Sequence, residues 1–184
     1  MQEIFASAYE ALKRLKEGNS RYIKAKVAFG EVSLEKRLYT SKYGQQPYVV
    51  IVSCSDSRVV PEHIFSAGIG ELFVIRVAGN VMGDCQLGSI EYAIEDLGCK
   101  LVLVLGHTQC GAVGAALQQN KGYLKLITDK IKLAVREEKD LTKAVIANVK
   151  NSVDTIKESL NNVDGAIIKG AVYHTDSGLV DFME

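Results

Sequence analysis

The sequence predicts an α/β fold, a central and mostly parallel β-sheet flanked by helices, with a helical arm at the N-terminus. Two observations carry this. Tyr48-Val-Val-Ile-Val52 and Lys100-Leu-Val-Leu-Val-Leu105 are short unbroken apolar runs of the kind that is buried on both faces in a parallel sheet. Between and after them, strand-like and helix-like stretches alternate, as a parallel sheet requires for its crossovers.

In chain order, residues 2 to about 28 carry Ile4, Phe5, Ala8, Tyr9, Leu12 and Leu15 at helical spacing with charges opposite. Gly18-Asn19 suggests a stop before a second short helix through Tyr22, Ile23 and Val27. This arm, 1–29, has the character of a helix that packs on its own domain or on a partner subunit. Residues 30–47 read as polar and turn-rich, ending at Pro47 ahead of the first strand. A short helix entered through Pro61, a strand over 71–76, a turn over 77–80 and an amphipathic helix over 86–97 stopped by Gly98 come next. The strand at 100–105 leads into a helix over 112–119, and residues 121–161 read as almost entirely helical, with Leu141, Ala144, Val145, Val149, Val153, Ile156 and Leu160 as a core-facing stripe. A strand over 165–173, a turn at His174–Gly178 and a last short strand over 179–183 close the chain. With no internal repeat or low-complexity linker, the 184 residues are read as one domain, 1–184.

Composition narrows the function classes. Lys plus Arg and Asp plus Glu number 22 each, and no basic tract suggests a nucleic-acid partner. The N-terminus lacks the basic and apolar regions of a signal peptide, and no run approaches the roughly 20 apolar residues that span a bilayer. The expectation is a cytoplasmic protein without nucleic-acid or membrane partners. In that compartment its four cysteines read as thiols or metal ligands rather than disulfides.

Chemistry gathers where the two buried runs end. Cys54-Ser-Asp-Ser-Arg58 follows the first, and Gly106-His-Thr-Gln-Cys-Gly111 ends the second. If the backbone stays extended, residues 54, 56 and 58 project to one side. Carboxyl ends of strands are where open α/β sheets build their sites. If the two strands are neighbours, Cys54, His107 and Cys110 reach one edge as a Cys2His set, which in catalytic zinc sites leaves a fourth position open.

These residues closely resemble the β-class carbonic anhydrases. The likeness extends to Ala11-Leu-Lys-Arg-Leu-Lys-Glu-Gly-Asn19, Gln45-x-Pro47, Phe73-Val-Ile-Arg76, Gly88-Ser-Ile-Glu-Tyr92 and the closing Tyr173–Gly178 hairpin, nearly the whole chain. The resemblance implies four parallel strands plus a C-terminal antiparallel edge strand. It implies a homodimer or higher homo-oligomer in which the N-terminal arm embraces a neighbouring subunit. It implies one Zn2+ per chain on Cys54, His107 and Cys110, with CO2 and bicarbonate as substrates. Zinc lowers the pKa of its water from about 15.7 towards 7, and the resulting hydroxide attacks CO2 to give bicarbonate and a proton.

Asp56 and Arg58 are expected to pair, Arg58 forking onto the carboxylate so that Asp56 orients the hydroxide. The resemblance also implies a closed form with Asp56 as fourth zinc ligand. Gln45 matches a glutamine that donates to substrate oxygen, and Phe73, Ala78 and Tyr92 match positions lining an apolar CO2 pocket, a role compatible with core packing. Gly111 either lets the backbone approach the site or opens a helix. Ile51 stands near the tryptophan of the bicarbonate-inhibited members, so that pocket is not expected here and Arg76 reads as structural. His63 and His174 read as surface residues, with proton shuttling the alternative. Cys85 and Cys99 lack ligand spacing, and Cys99 reads as a small apolar filler. Two other functions compete with CO2 hydration: a CS2 or COS hydrolase on the same scaffold, and a non-catalytic zinc or bicarbonate-sensing module.

Overall fold

The computed structural model describes residues 6–24, 30–118, 120–160 and 165–184. Its elements are α1 (Ala8–Lys24), α2 (Leu34–Tyr43), β1 (Val49–Ser53), α3 (Pro61–Ile64), β2 (Leu72–Arg76), a turn at Ala78–Asn80, α4 (Asp84–Glu95), β3 (Leu101–His107), α5 (Gly111–Ala116), α6 (Leu124–Val135), α7 (Leu141–Ser159), β4 (Ile167–Tyr173) and β5 (Val180–Phe182). The sheet order is β2-β1-β3-β4-β5. The first four strands are parallel and β5 runs antiparallel against β4, as expected.

Side chains alternate across each strand, and the alternation sorts the core into two layers. Val50, Val52, Val102, Val104 and Val172 face α4 to α7, where they meet Ile90, Val113, Ile131, Val145, Val149 and Ile156. Val49, Ile51, Leu101, Leu103, Leu105 and Ala171 face the other way, onto Ala11 and Leu15 of α1 and Ile64 and Phe65 at α3. A fully buried Leu or Ile in such layers contributes about 1.5–3 kcal/mol.

The buried face of α1 is used within its own chain. Ala11 and Leu15 are fully buried, and Gly18 lies so close to α3 that a Cβ there would stand 1.9 Å from the Phe65 carbonyl oxygen. Asn19 does not end the helix as its Gly-Asn pair suggested. It is buried inside α1, donating to the carbonyls of Ile64 and Gly178 and accepting from the Val180 N–H. The other surfaces of α1 include the exposed Tyr9. Ile4, Phe5 and Val27 lie outside the described residues.

Two further expectations are corrected. The polar segment 30–47 contains α2, capped by Ser33, whose hydroxyl accepts from the Lys36 N–H, and ended at Gly44. The helix buries none of its residues, so it carried no core-facing stripe to betray it. The long helical region is divided at Arg136, whose φ of 52° leaves the helix, and α7 restarts at the Asp140 cap. Among the described residues no helix is long and apolar enough to cross a membrane.

Candidate metal centre

The pairing of β1 with β3 aligns Ser53 with Leu105 and brings Cys54, His107 and Cys110 together at the carboxyl edge. All three are buried, and their ligand atoms lie within 4.8 Å of one another. The sulfurs of Cys54 and Cys110 are 4.0 Å apart. A tetrahedral ion with Zn–S bonds of about 2.3 Å holds two sulfurs roughly 3.8 Å apart, so the spacing fits zinc. His107 strengthens the fit. Its Nδ1 is engaged by the Thr108 carbonyl at 2.9 Å, while its Nε2 is buried with no hydrogen-bond partner. An orphaned imidazole nitrogen facing two thiols is the arrangement of a ligand set, since a buried polar atom without a partner is otherwise costly.

The sulfurs are electrostatically unequal. The hydrogen bond with Cys110 is the main influence that lowers the Cys54 pKa, and His107 with the N–H groups of Gly79 and Asp56 adds to it against burial. The same bond, together with burial, raises Cys110.

Strand β1 ends at Ser53, and the chain does not stay extended through Arg58. It turns at Ser57–Arg58, with the Val59 N–H donating to the Asp56 carbonyl, and the turn rather than a continued strand brings the Arg58 side chain onto Asp56 beside Cys54. Cys54 goes inward, Asp56 is half-buried and Arg58 is exposed. Arg58 Nε donates to Asp56 Oδ1 at 3.0 Å and Nη2 to Oδ2 at 2.8 Å, and the Arg58 N–H adds a third bond to Oδ1. The Arg58 guanidinium holds the Asp56 carboxyl well below the usual carboxylate range, against some desolvation. Oδ2 also stands 3.9 Å from His107 Nε2, so this ionised group is aimed at the ligand cluster.

The remaining expected residues divide. Ala78 begins the turn whose Gly79 N–H donates to Cys54 Sγ at 3.2 Å, so it sits beside the centre. Gly111 opens α5 next to Cys110, and a Cβ there would meet open space, which favours its helix-opening role. Gln45, Phe73 and Tyr92 are not brought to the cluster. Gln45 precedes β1 at the amino edge, and five strand residues at about 3.3 Å each separate the two edges. Phe73 pairs with Val50 near the start of β2, and its ring meets that of the exposed Tyr92 at a tilt, with centroids 6.1 Å apart.

Arg76 has a structural task that sequence reasoning named without its target. It latches the ligand loop by donating from Nε to the Cys54 carbonyl at 3.2 Å and from Nη2 to the Asp56 carbonyl at 2.8 Å. The Gly79 N–H to the Cys54 sulfur was missed altogether. A backbone donor has no residue type to advertise it, and the turn after β2 was its sole trace. His63 is exposed, and His174 pairs with Asp181 at 2.8 Å.

Comparison with known proteins agrees with this geometry. The carbonic anhydrase family profile matches residues 49–180. Carbonic anhydrase 2 of Mycobacterium tuberculosis is 48% identical over 107 residues, covering 58% of this chain and 51% of its own length. A carbonic anhydrase of Helicobacter pylori is 37% identical over 139 residues, covering 69% of this chain and 55% of its own. The matches thus span about half the length of these curated relatives. Among solved structures, the β-carbonic anhydrase CafA of Aspergillus fumigatus superposes with a TM-score of 0.71 at 28% identity, over 82% of this chain and 81% of that one. A Coccomyxa β-carbonic anhydrase solved with acetazolamide gives 0.71 at 26% identity, over 81% and 78%.

Proposed function

Since the chain belongs to the carbonic anhydrase family, in its β class, we propose that it catalyses the reversible, zinc-dependent hydration of carbon dioxide to bicarbonate and a proton. The observation that carries this reading is the buried Cys54–His107–Cys110 cluster with the ionised Asp56 carboxylate 3.9 Å from its imidazole. Cys54, His107 and Cys110 would hold one Zn2+ per chain. Bound there, zinc supplies the Lewis acid that makes hydroxide available from water near neutral pH. Asp56 accepts a hydrogen bond from the attacking oxygen at its carboxylate and so fixes the direction of a lone pair. Arg58 keeps that carboxylate charged and turned to its task. Capture of Asp56 as a fourth ligand would require the Arg58 fork to break.

Substrate recognition divides between two copies of the chain. Ala78 and Gly111 border the cluster of their own chain, whereas Gln45, Phe73 and Tyr92 lie too far along the sheet to serve it. They reach a metal centre when a second copy presents its β2 edge. Self-association is supported by the apolar surface before β1: Val32, Leu34, Leu38, Tyr39 and Tyr43 on and before α2 leave 49–62% of their area exposed. We read the protein as a cytoplasmic homodimer or higher homo-oligomer of one-domain subunits, consistent with four free cysteines.

Parallel assays of CO2 hydration and of sulfide release from CS2 and COS, on zinc-loaded protein, test the reaction. CO2 turnover without sulfide release is expected. Sulfide release alone would move the activity to the heterocumulene hydrolases, and zinc without turnover in either assay would make the chain a non-catalytic module.

A further inference from the structure

The turn Ala78–Asn80 is held from both sides. Gly79 and Asn80 have φ of 69° and 46°, a left-handed stretch that an Asn adopts at some cost and keeps when its surroundings enforce it. On one side Ile131 of α6 and Ala112 of α5 back the turn so closely that a Cβ on Gly79 would lie 2.8 Å from Ile131 Cδ1 and 3.2 Å from Ala112 Cβ. On the other side stand two residues of α7. Asn148 Nδ2 donates to the Gly79 carbonyl at 2.7 Å, and Ser152 Oγ, one helical turn later, donates to the Asn80 carbonyl at 3.1 Å.

Both donors are almost fully buried, on a helix face otherwise made of Ala144, Val145, Val149, Val153 and Ile156. A buried amide in an apolar stripe is costly unless its bonds are made, and core packing alone is served as well by an aliphatic residue. What Asn148 adds is a hold on the Gly79 carbonyl, in the peptide unit joined through the Gly79 Cα to the one that carries the Gly79 N–H. That glycine's N–H in turn donates to Cys54 Sγ at 3.2 Å. A hydrogen bond to a ligating thiolate draws electron density from sulfur and fixes its direction, and such outer partners change metal affinity by about 10–100-fold.

We propose that Asn148 is a positioning residue for the metal centre: by holding the Gly79 carbonyl it keeps the Gly79 N–H on the Cys54 thiolate. The proposal rests on the zinc reading above. Ser152 supports the same turn at the Asn80 carbonyl, one peptide unit further than Asn148 from the unit whose N–H meets the sulfur.

Cobalt(II) is the probe, because its sulfur-to-metal charge-transfer band reports the thiolate directly. In Asn148→Ala the band is expected at lower energy than in the wild type, since a sulfur relieved of its hydrogen bond gives up an electron more easily, with cobalt affinity down about tenfold. Ser152→Ala is expected to melt earlier while keeping the wild-type band. Ile131→Val, a mild trim that loosens the turn from the other side, is expected to shift the band in the same direction by less, and it carries the test if Asn148→Ala does not fold. A wild-type band and affinity in Asn148→Ala, or in Ile131→Val when the former is unfolded, would overturn the proposal. So would an equal shift in Ser152→Ala, which would mean general loosening. Failure of the wild type to bind cobalt would overturn the metal centre itself, and the clamp with it.

Discussion

Asp56 and Arg58 meet as a two-pronged fork, Nε to Oδ1 at 3.0 Å and Nη2 to Oδ2 at 2.8 Å, with Oδ2 3.9 Å from the buried Nε2 of His107. The carboxylate is therefore engaged by the guanidinium while it overlooks the ligand cluster. Arg58→Lys keeps the charge and loses the fork. It is expected to lower kcat about 100-fold with zinc content unchanged, and to move the activity profile to higher pH as Asp56 is freed towards the metal. A pH–rate profile of the two proteins checks this, and an unshifted profile would separate Arg58 from the control of Asp56.

Gln45 and Cys54 stand at opposite edges of the sheet, which yields a mixing experiment. Gln45→Ala and Cys54→Ala should each be nearly inactive alone. Randomly reassociated dimers of the two should recover about a quarter of wild-type activity, because half are heterodimers and each has one site with both residues intact. No recovery would place Gln45 outside its neighbour's site.

Asn19 ties the first helix to the end of the chain through the Ile64 and Gly178 carbonyls and the Val180 N–H. Asn19→Ala leaves these buried groups without partners and is expected to cost about 3 kcal/mol. A urea titration reads the loss, and a change below about 0.5 kcal/mol would contradict the clamp.

Burial pushes the Cys99 thiol up to about 11. Its folded value is raised above the unfolded one, so the neutral thiol stabilises the fold fully below the ordinary thiol pKa of about 8.5. That contribution disappears as the pH rises through the folded value. Unfolding midpoints should therefore fall more steeply between about pH 9 and 11 in the wild type than in Cys99→Ala. Alkylation at pH 8 should label the exposed Cys85 and spare Cys99.

Much of this was legible in the sequence, for identifiable reasons. The apolar runs at 48–52 and 100–105 read as buried strands, and if those strands are neighbours, as β1 and β3 are, Cys54, His107 and Cys110 converge at one edge. Helix α2 was hidden because its apolar residues, Leu34, Leu38, Tyr39 and Tyr43, are interleaved with charged and polar ones and none is buried in its own chain. The Asn19 clamp, the Arg76 latch and the Asn148–Gly79 contact join residues far apart in the chain, where local spacing has no voice. Gln45 illustrates a different blindness: its motif named a role, and the sheet's length removed that role from its own chain.

The most direct test of the whole account is stopped-flow CO2 hydration from pH 6.5 to 9 on protein of measured zinc content, beside Cys54→Ala. The account predicts turnover proportional to zinc, already present near neutral pH, and abolished together with zinc binding in the variant. One zinc per chain with no CO2 turnover across that range would contradict it.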